Sequence, residues 1–345
     1  MASKRIKYID DLKTIAIFGV IVIHVCMFFG SNTINGISIY NYQEIVRFAV
    51  PVFLMISGAL LLNREYEFGS FIKRRYVRII LPFILWQIIA VLIRFFLGQY
   101  DYLSEYNFLT QMWYFWLILG VYLAVPVINE FIKNKGLEGA EYFIIVVIFA
   151  AVFFQVLKTL GMYTYLDLGF FLGPVGFLVL GYYLANKEFD ISPKMMILIT
   201  LIIFIVTTLL KVYGFLRMFG ITNFTLLNME IGLNSNLNMG IMDIVHAVSV
   251  FLLVKALNES DIFSLKNKYL TKFSLSVSRA SYGMYFAQDI IIFIFLGDFI
   301  TSLSLTNLQA GILVIASCLG VFILSWLIVV LLSKIPHLKK FSGYA

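Results

Sequence analysis

Charged side chains are scarce in this chain. Only 13% of its 345 residues are Asp, Glu, Lys or Arg, whereas a soluble domain contains about 25%. Hydrophobic residues make up 61% of the sequence, well above the roughly 45 to 50% of a soluble domain. So few charges cannot cover a water-exposed surface, and the composition therefore excludes an ordinary soluble protein.

Cysteine and histidine are scarcer still, with two and three copies. Cys26 and Cys318 lie far apart within apolar runs, so neither a disulfide framework nor a cysteine-based metal site is indicated. We interpret both as small core residues, and we expect no metal. The three histidines are the side chains whose ordinary titration falls near neutral pH.

The basic excess gives a formal charge of +7. In a soluble protein this charge would suggest nucleic acid, but here the basic residues stand at the ends of apolar runs, as topology signals do. Nucleic-acid binding is therefore excluded, and membrane lipid is the expected environment. The basic start of the chain resembles a signal peptide, yet no small-residue cleavage site follows, and we interpret the stretch as the first span.

Apolar runs recur along the whole chain. A membrane-spanning helix needs about 17 to 25 mostly apolar residues, and runs of this kind predict an all-α polytopic membrane protein with about ten transmembrane helices. The helices are expected near residues 12–30, 45–63, 77–98, 111–131, 140–157, 166–186, 195–213, 237–257, 279–297 and 310–333.

The distribution of basic residues predicts the orientation. Cytoplasmic loops of membrane proteins are enriched in Lys and Arg, and placing both termini in the cytoplasm puts most basic residues inside. An even number of spans is then required. The longest external connection is expected at about 212–236. The basic residues left outside are Arg47, Arg94, Lys158, Lys211 and Arg217.

The first predicted helix contains "DDLKTIAIFGVIVIH", in which Lys13 and His24 are eleven residues apart. Three helical turns separate them, so they fall within about 20° of each other and about 16 Å apart along the axis. Lys13 is equally well explained as an anchor at the membrane surface. His24 lies deeper, where it suits a general base, although a neutral imidazole bonded to a neighbouring helix is the alternative.

The second predicted helix carries Glu44 and Arg47 at a spacing that allows them to pair on one face. Arg47 lies on the predicted outer side, where it either orients an acceptor or only pairs with Glu44. Further along the same helix, Ser57 and Gly58 favour close helix packing.

A cationic cluster opens the third predicted helix in "KRRYVRIILP". Arg75 and Arg78 are three residues apart and share a helix face. Guanidinium groups near a helix N-terminus suit phosphate recognition, while binding of anionic lipid is the alternative.

Two later features have structural explanations beside functional ones. His246 follows Asp243 by three residues, and this pair is either a second proton site or, as we favour, a hydrogen-bonded interhelical contact. Trp113 lies near the predicted outer boundary, where an aromatic belt explains it without a sugar-stacking role.

Five segments of the chain also follow one another in a recognisable order. They are "IDDLKTIAIFGVIVIH" with Asp10, Lys13 and His24, "RFAVPVFLMISGALL", "RRYVRIILP" with Arg75 and Arg78, "WYFWLILGVYLAVPVI" with Trp113, and "SRASYGMYFAQD" with Tyr282. Together they resemble the integral membrane acyltransferase 3 family. The resemblance spans nearly the whole chain, and it implies one membrane-embedded domain over 1–345 with no appended soluble domain.

One residue departs from the family pattern. The late motif commonly ends with His, whereas this chain has Gln288 followed by Asp289. A glutamine amide donates and accepts hydrogen bonds but does not carry a proton at neutral pH. If the family uses that histidine to orient another group, Gln288 can replace it. If the family uses it to transfer protons, this protein is altered or depends on Asp289.

The resemblance implies transfer of an acetyl or succinyl group from cytoplasmic acyl-CoA to a hydroxyl of a cell-surface or lipid-linked glycan at a bacterial plasma membrane. It leaves direct transfer, a covalent acyl-enzyme route and the oligomeric state open. A polysaccharide exporter or proton-coupled transporter, and a sensor or scaffold, are the alternatives. The implied roles are catalytic for His24, Lys13 and Asp10, donor-binding for Arg74, Arg75 and Arg78, and acceptor-binding for Arg47, Glu44, Trp113, Tyr282 and Gln288.

Overall fold

The computed structural model of the protein describes residues 5–34, 37–99, 112–159, 169–213, 241–260 and 268–345. Helices dominate these residues, and a two-stranded hairpin pairs β1, Thr33–Ile34, antiparallel with β2, Ile37–Ser38. The helices are α1 Lys7–Cys26, α2 Ala49–Leu61, α3 Phe68–Phe96, α4 Trp113–Thr159, α5 Gly169–Asn186, α6 Pro193–Tyr213, α7 Ile241–Glu259, α8 Lys268–Ile290, α9 Gly297–Thr301 and α10 Asn307–Lys334.

The predicted all-α polytopic class is confirmed. Within the described ranges, seven helical segments are long and apolar enough to cross a membrane. Each of the ten expected positions overlaps a helix, and 111–131 and 140–157 belong to the single long element α4. Residues 214–236 of the expected external connection lie outside the described residues.

The long helix α4 changes direction at one residue. Gly136 has φ 58° and ψ −139°, a backbone conformation that glycine adopts readily and other residues avoid. The break lies between the two apolar runs from which separate helices were predicted, and it therefore accounts for both runs.

The chain divides into two compact units, and neither is a continuous stretch. Unit 1 comprises Met1–Ala16, Glu44–Arg64 and Val127–Thr271; unit 2 comprises Ile17–Gln43, Glu65–Pro126 and Lys272–Ala345. The predicted site residues are divided between them. Unit 1 holds Asp10, Lys13, Glu44 and Arg47, while unit 2 holds His24, Arg74, Arg75, Arg78, Trp113, Tyr282 and Gln288.

Unit 1 is built around a close crossing of α2 and α5. A Cβ atom added to Gly58 would collide with the backbone of Leu178, and one added to Gly181 would collide with the backbone of Met55. The two glycines therefore allow the helix backbones to touch, which is how small residues promote helix association in membranes. The predicted packing role of Gly58 is confirmed.

Unit 2 contains a second close approach, between α8 and the segment that follows α10. A Cβ atom at Gly283 would collide with the carbonyl oxygen of Ser342, and Gly343, at φ 80°, lies against the backbone of Gly283. Trp86 on α3 donates its indole N–H to the same Ser342 carbonyl over 3.2 Å. Gly283, which belongs to "SRASYGMYFAQD", thus has a packing role. Because it lacks a Cβ atom, the segment after α10 can pack directly against α8.

Candidate active site

His24 lies in the last turn of α1 and makes a specific contact with α8. Its Nδ1 atom is 3.1 Å from Oε1 and 2.9 Å from Nε2 of the Gln288 amide. Gln288 is fully buried, while His24 is half-buried and keeps part of its surface accessible. The imidazole is therefore held on one side and open on another.

The Gln288 amide offers His24 both a donor and an acceptor. Its nitrogen has two N–H groups; it donates to the Tyr285 carbonyl over 3.1 Å and also lies 2.9 Å from His24 Nδ1. When the amide oxygen accepts from Nδ1–H instead, the neutral imidazole carries its lone pair on Nε2. Among the described residues, none forms a hydrogen bond with Nε2. In this tautomer Nε2 is the nitrogen that can accept a proton from a substrate.

This geometry gives Gln288 an orienting role toward His24. When the imidazole gains a proton, its Nδ1–H still donates to the same amide oxygen, so the contact survives both protonation states. A glutamine can perform this role without titrating. The resemblance implied that Gln288 binds the acceptor. The structure shows that its amide contacts the His24 side chain of the protein itself.

An aromatic ring that the sequence did not single out also contacts His24. Phe293 packs edge-on against the imidazole with ring centroids 5.8 Å apart. It belongs to a π-helical segment, Ile291–Leu296, that continues α8. No α-helical spacing joins Phe293 to Gln288, five residues earlier, and a search for helical faces therefore misses it.

The cationic cluster at the start of α3 contains arginines in different settings. Arg75 is half-buried with its guanidinium 5.7 Å from the centroid of the Phe71 ring, whereas Arg78 is exposed. Arg74 instead bonds to the backbone oxygen and hydroxyl of Ser70, both over 3.2 Å. In the part of the chain that the structure describes, no carboxylate forms an ion pair with Arg75 or Arg78. An external anion that approached these two arginines would therefore meet no competing carboxylate among the described residues.

Tyr282 ties the cationic helix to the helix that holds Gln288. Its hydroxyl donates to the Ile79 carbonyl over 3.0 Å, one residue beyond Arg78. Gln288 follows Tyr282 by six residues, which is about 9 Å along the α8 axis. Within unit 2, α8 therefore contacts the helix of the arginine cluster at Tyr282 and the His24 imidazole at Gln288. Trp113, half-buried at the start of α4, packs edge-on against Tyr114.

The catalytic candidates of unit 1 lie on the first part of α1. Asp10 is buried and accepts a hydrogen bond from the Arg5 guanidinium over 2.6 Å. Lys13 is half-buried one turn further along. The helix is continuous from Lys7 to Cys26, as predicted, so the eleven-residue spacing between Lys13 and His24 is kept within it.

Glu44 and Arg47 pair as predicted, and the structure extends the pair into a chain of charges. Arg47 lies 2.9 Å from one oxygen of Glu44, and Lys211 lies 3.2 Å from the other. Lys211 also bonds to Asp243. The Lys211 and Asp243 side chains are 9% and 10% exposed, so these charges are largely removed from water. Glu44 is therefore held by two cations, Arg47 from the turn before α2 and Lys211 from α6.

His246 is bonded on both sides of its ring. Nδ1 lies 2.6 Å from the Thr207 hydroxyl, and Nε2 lies 3.0 Å from the Ile45 carbonyl oxygen. The ring is fully buried and stacks on Phe204 with centroids 4.8 Å apart. The predicted interhelical hydrogen bond is confirmed, and neither nitrogen is open to a substrate.

Within the described residues, no group of three or more His, Cys, Asp or Glu side chains is arranged to hold a metal ion. A family model described as an acyltransferase domain matches residues 6–330 of the chain. This range contains every predicted site residue. No curated protein and no solved structure matches the chain.

Proposed function

The chain belongs to this acyltransferase family, and from that premise we propose that it transfers an acetyl or succinyl group from cytoplasmic acyl-CoA to a hydroxyl of a glycan. The acceptor is a cell-surface polymer or its lipid-linked precursor at a bacterial plasma membrane. The family membership and the spanning helices support the coarser statement, a multi-pass membrane acyltransferase.

One observation carries the proposal: His24 has one ring nitrogen held by Gln288 and the other facing no described partner. An acceptor hydroxyl is a weak nucleophile until a base removes its proton, and a positioned imidazole performs this step near neutral pH. We assign the general-base role to His24 Nε2. Gln288 holds Nδ1 and so keeps the basic nitrogen directed toward the acceptor.

The donor is proposed from the charges of unit 2. Arg75 and Arg78 supply guanidinium groups that suit the phosphates of a nucleotide, and Arg74 extends the cluster. The cluster and His24 are offset along α8, so a donor must carry its acyl group well away from its phosphates. Acyl-CoA has that form, because a long arm separates its nucleotide from the thioester.

The proposed reaction moves one acyl group and one proton. The acceptor oxygen gives its proton to His24 and forms a bond to the thioester carbonyl carbon, while the carbon–sulfur bond breaks. The leaving thiolate takes the proton back from the imidazolium, which yields an ester and free CoA. In a covalent route the same proton acceptor serves each half of the reaction.

The remaining predicted residues keep their roles as proposals. Lys13 and Asp10 are assigned to catalysis because they match the first-helix motif of the family. Trp113 is assigned to stacking on a sugar, and Arg47 to contact with the acceptor. Glu44 and Tyr282 keep the proposed acceptor-binding role, and each also has a partner within the protein: Glu44 binds two cations and Tyr282 binds the Ile79 carbonyl.

The test uses the purified protein in lipid nanodiscs with acetyl-CoA or succinyl-CoA, and cells with or without the gene. We expect surface glycans of the producing cells to be heavier by one acyl group per site, as measured by mass spectrometry. His24→Asn is the matched variant, because an asparagine amide keeps a hydrogen-bonding group near Gln288 but does not take up a proton.

Two results would overturn the proposal. One is an ester content that is the same in His24→Asn cells as in wild-type cells. The other is transport of a saccharide into vesicles by a protein that consumes no acyl-CoA, which would favour the exporter or proton-coupled carrier instead.

A further inference from the structure

The π-helical segment Ile291–Leu296 begins immediately after the turn that contains Gln288. Its last bond runs from the Gly297 N–H to the Ile292 carbonyl, five residues back. Such segments are rare, and they occur frequently at functional sites because they change which side chains share a face. The question is what this one brings to His24.

The wider turn brings a second side chain of the same helix to the imidazole. In a regular α-helix, residues five apart point about 140° away from each other around the axis. Gln288 and Phe293 are five apart, yet both contact His24. The π-helical segment reconciles these contacts, since its extra residue per turn rotates Phe293 back toward the face of Gln288.

Phe293 is also fixed on its far side. Its ring packs edge-on against Phe28 with centroids 5.4 Å apart. Phe28 in turn lies where a Cβ atom of Gly297 would be, so the glycine that ends the π-helical segment makes room for it. The Phe293 ring is therefore packed between His24 in α1 and Phe28, which lies just beyond α1.

This placement matters because water competes with the acceptor. A base that activates a hydroxyl also activates water, which would convert the acyl donor into free carboxylate and CoA. Enzymes that transfer groups avoid this loss by excluding water from the reacting atoms. Phe293 lies in the π-helical segment that continues α8 toward the predicted outer side. Both the acceptor and water would arrive from that side.

We infer that Phe293 is a specificity-determining residue that keeps water from His24 and so sets the partition of the acyl group between acceptor and water. The inference rests on the proposed acyltransferase function. In the unwanted reaction a water oxygen bonds to the thioester carbonyl carbon, the carbon–sulfur bond breaks, and the products are a carboxylic acid and CoA. The partition is affected in the same way whether transfer is direct or passes through an acyl-enzyme.

The experiment measures release of free CoA thiol from acetyl-CoA and from succinyl-CoA by the full chain in nanodiscs without acceptor. With whichever donor the wild type transfers, we expect Phe293→Ala to raise the rate of CoA release about tenfold, which corresponds to a barrier lower by about 1.4 kcal/mol. Phe293→Leu is expected to give a smaller increase. Phe295→Ala is the matched control, because Phe295 lies in the same segment but is 52% exposed.

A second readout keeps folding defects separate. Acyl ester content of surface glycans is measured in cells producing each variant at equal amounts, together with elution of the purified proteins on gel filtration. We expect Phe293→Ala to elute normally and to give fewer esters per CoA released. The double variant His24→Ala with Phe293→Ala should lose the added hydrolysis, because the base that activates water is gone.

The inference is overturned if Phe293→Ala and Phe295→Ala release CoA at the same rate while the wild type transfers acyl groups normally. It is also overturned if the added hydrolysis persists without His24. A wild type that consumes neither donor would instead overturn the proposed function, and the inference with it. If Phe293→Ala misfolds, Phe293→Leu becomes the test. In that case, a Phe293→Leu protein that divides acyl groups between acceptor and water as the wild type does would contradict the inference.

Discussion

The two units of this protein each contain a histidine within helices, and the two side chains are bonded in opposite ways. In unit 1 both nitrogens of His246 are bonded, to Thr207 and to the Ile45 carbonyl, and the ring is fully buried. In unit 2, Nδ1 of His24 is bonded to Gln288, Nε2 has no partner in the part of the chain that the structure describes, and part of the ring remains accessible. A histidine with both nitrogens committed joins helices, whereas one with a free nitrogen can exchange a proton with a substrate.

The charged side chains of the two units show the same contrast between groups that are bonded within the protein and groups that are not. In unit 1, Lys211 binds Asp243 and Glu44, so positive and negative groups satisfy one another. In unit 2, Arg75 and Arg78 have no ion-pair partner among the described residues. Polar groups that are mutually satisfied stabilise a fold, and polar groups left open bind ligands. We therefore expect loss of Lys211 or His246 in unit 1 to lower stability, and loss of His24 or Gln288 in unit 2 to lower activity.

The largest expected effect is on catalysis, from His24→Ala. Loss of a general base typically lowers the rate about 10²- to 10⁴-fold, and we expect kcat for acyl transfer to fall within this range. The unfolding free energy should fall by only about 1 to 3 kcal/mol, because the buried Gln288 amide loses its partner on the imidazole. A variant that unfolds early but retains its kcat per folded molecule would break the comparison.

Lys211→Met should give the largest loss of stability. Removing Lys211 leaves Asp243 without this partner and Glu44 with Arg47 alone, and breaking a buried ion pair typically costs about 3 to 5 kcal/mol of unfolding free energy. Chemical unfolding in detergent measures this cost. Arg47→Met is the control: because Arg47 is 39% exposed and Glu44 keeps Lys211, about 1 kcal/mol or less is expected. Equal losses in the two variants would contradict the proposed chain of charges.

Gln288→Leu tests whether the glutamine orients the catalytic imidazole. The leucine fills a similar volume but offers no acceptor for Nδ1–H, and loss of an orienting partner typically lowers activity about 10- to 100-fold. We expect this loss in kcat, with little change in KM for acyl-CoA. Gln288→His restores the residue common in the family and should retain most of the activity. A change confined to KM would instead support the acceptor-binding role suggested by the sequence.

His246→Ala is expected to destabilise unit 1 without impairing the chemistry. The substitution removes the partners of the Thr207 hydroxyl and the Ile45 carbonyl, and each buried group left unsatisfied costs about 1 to 3 kcal/mol. Activity per folded molecule should match the wild type at low temperature. If activity falls while the unfolding transition stays in place, His246 belongs to the catalytic machinery and the contrast between the two histidines fails.

The smallest expected effect is a pH dependence at the start of α3. The Ser70 side chain and backbone hold the pKa of the Glu67 carboxyl below its usual value. Above the pKa that Glu67 has in the unfolded chain, its carboxylate stabilises the fold. This stabilisation is lost as the pH falls through the lower pKa that Glu67 has in the folded protein. Because Glu67 is exposed, Glu67→Gln should only slightly flatten the acid side of the thermal unfolding curve; a change near neutral pH would be inconsistent with this cause.

Several features of the fold could be predicted from residue order because their causes are local. Apolar runs gave helix positions, since any segment in lipid must satisfy its own backbone hydrogen bonds. The pairing of Glu44 with Arg47 followed from their spacing on one helix. The packing role of Gly58 followed from its small size, although its contact with Leu178 did not.

Other features could not be predicted because they join residues distant in the chain. Nothing near Lys211 in the sequence indicates that it binds both Glu44 and Asp243, and nothing near Ser342 indicates that it contacts Gly283. Phe293 could not be predicted for a different reason: helix faces in the sequence follow 3.6 residues per turn, and a π-helical segment changes that period locally.

The sequence by itself determined that this is an all-α membrane protein, and its ordered motifs indicated the acyltransferase family. Composition and helical period are properties of neighbouring residues, so no tertiary information is needed to read them. Only the tertiary structure decided which side chains bond to each histidine, which charged groups pair among the described residues and which ring lies beside His24. Those outcomes depend on contacts between segments distant in the chain, such as α1 with α8 and α6 with α7, and residue order alone does not specify such contacts.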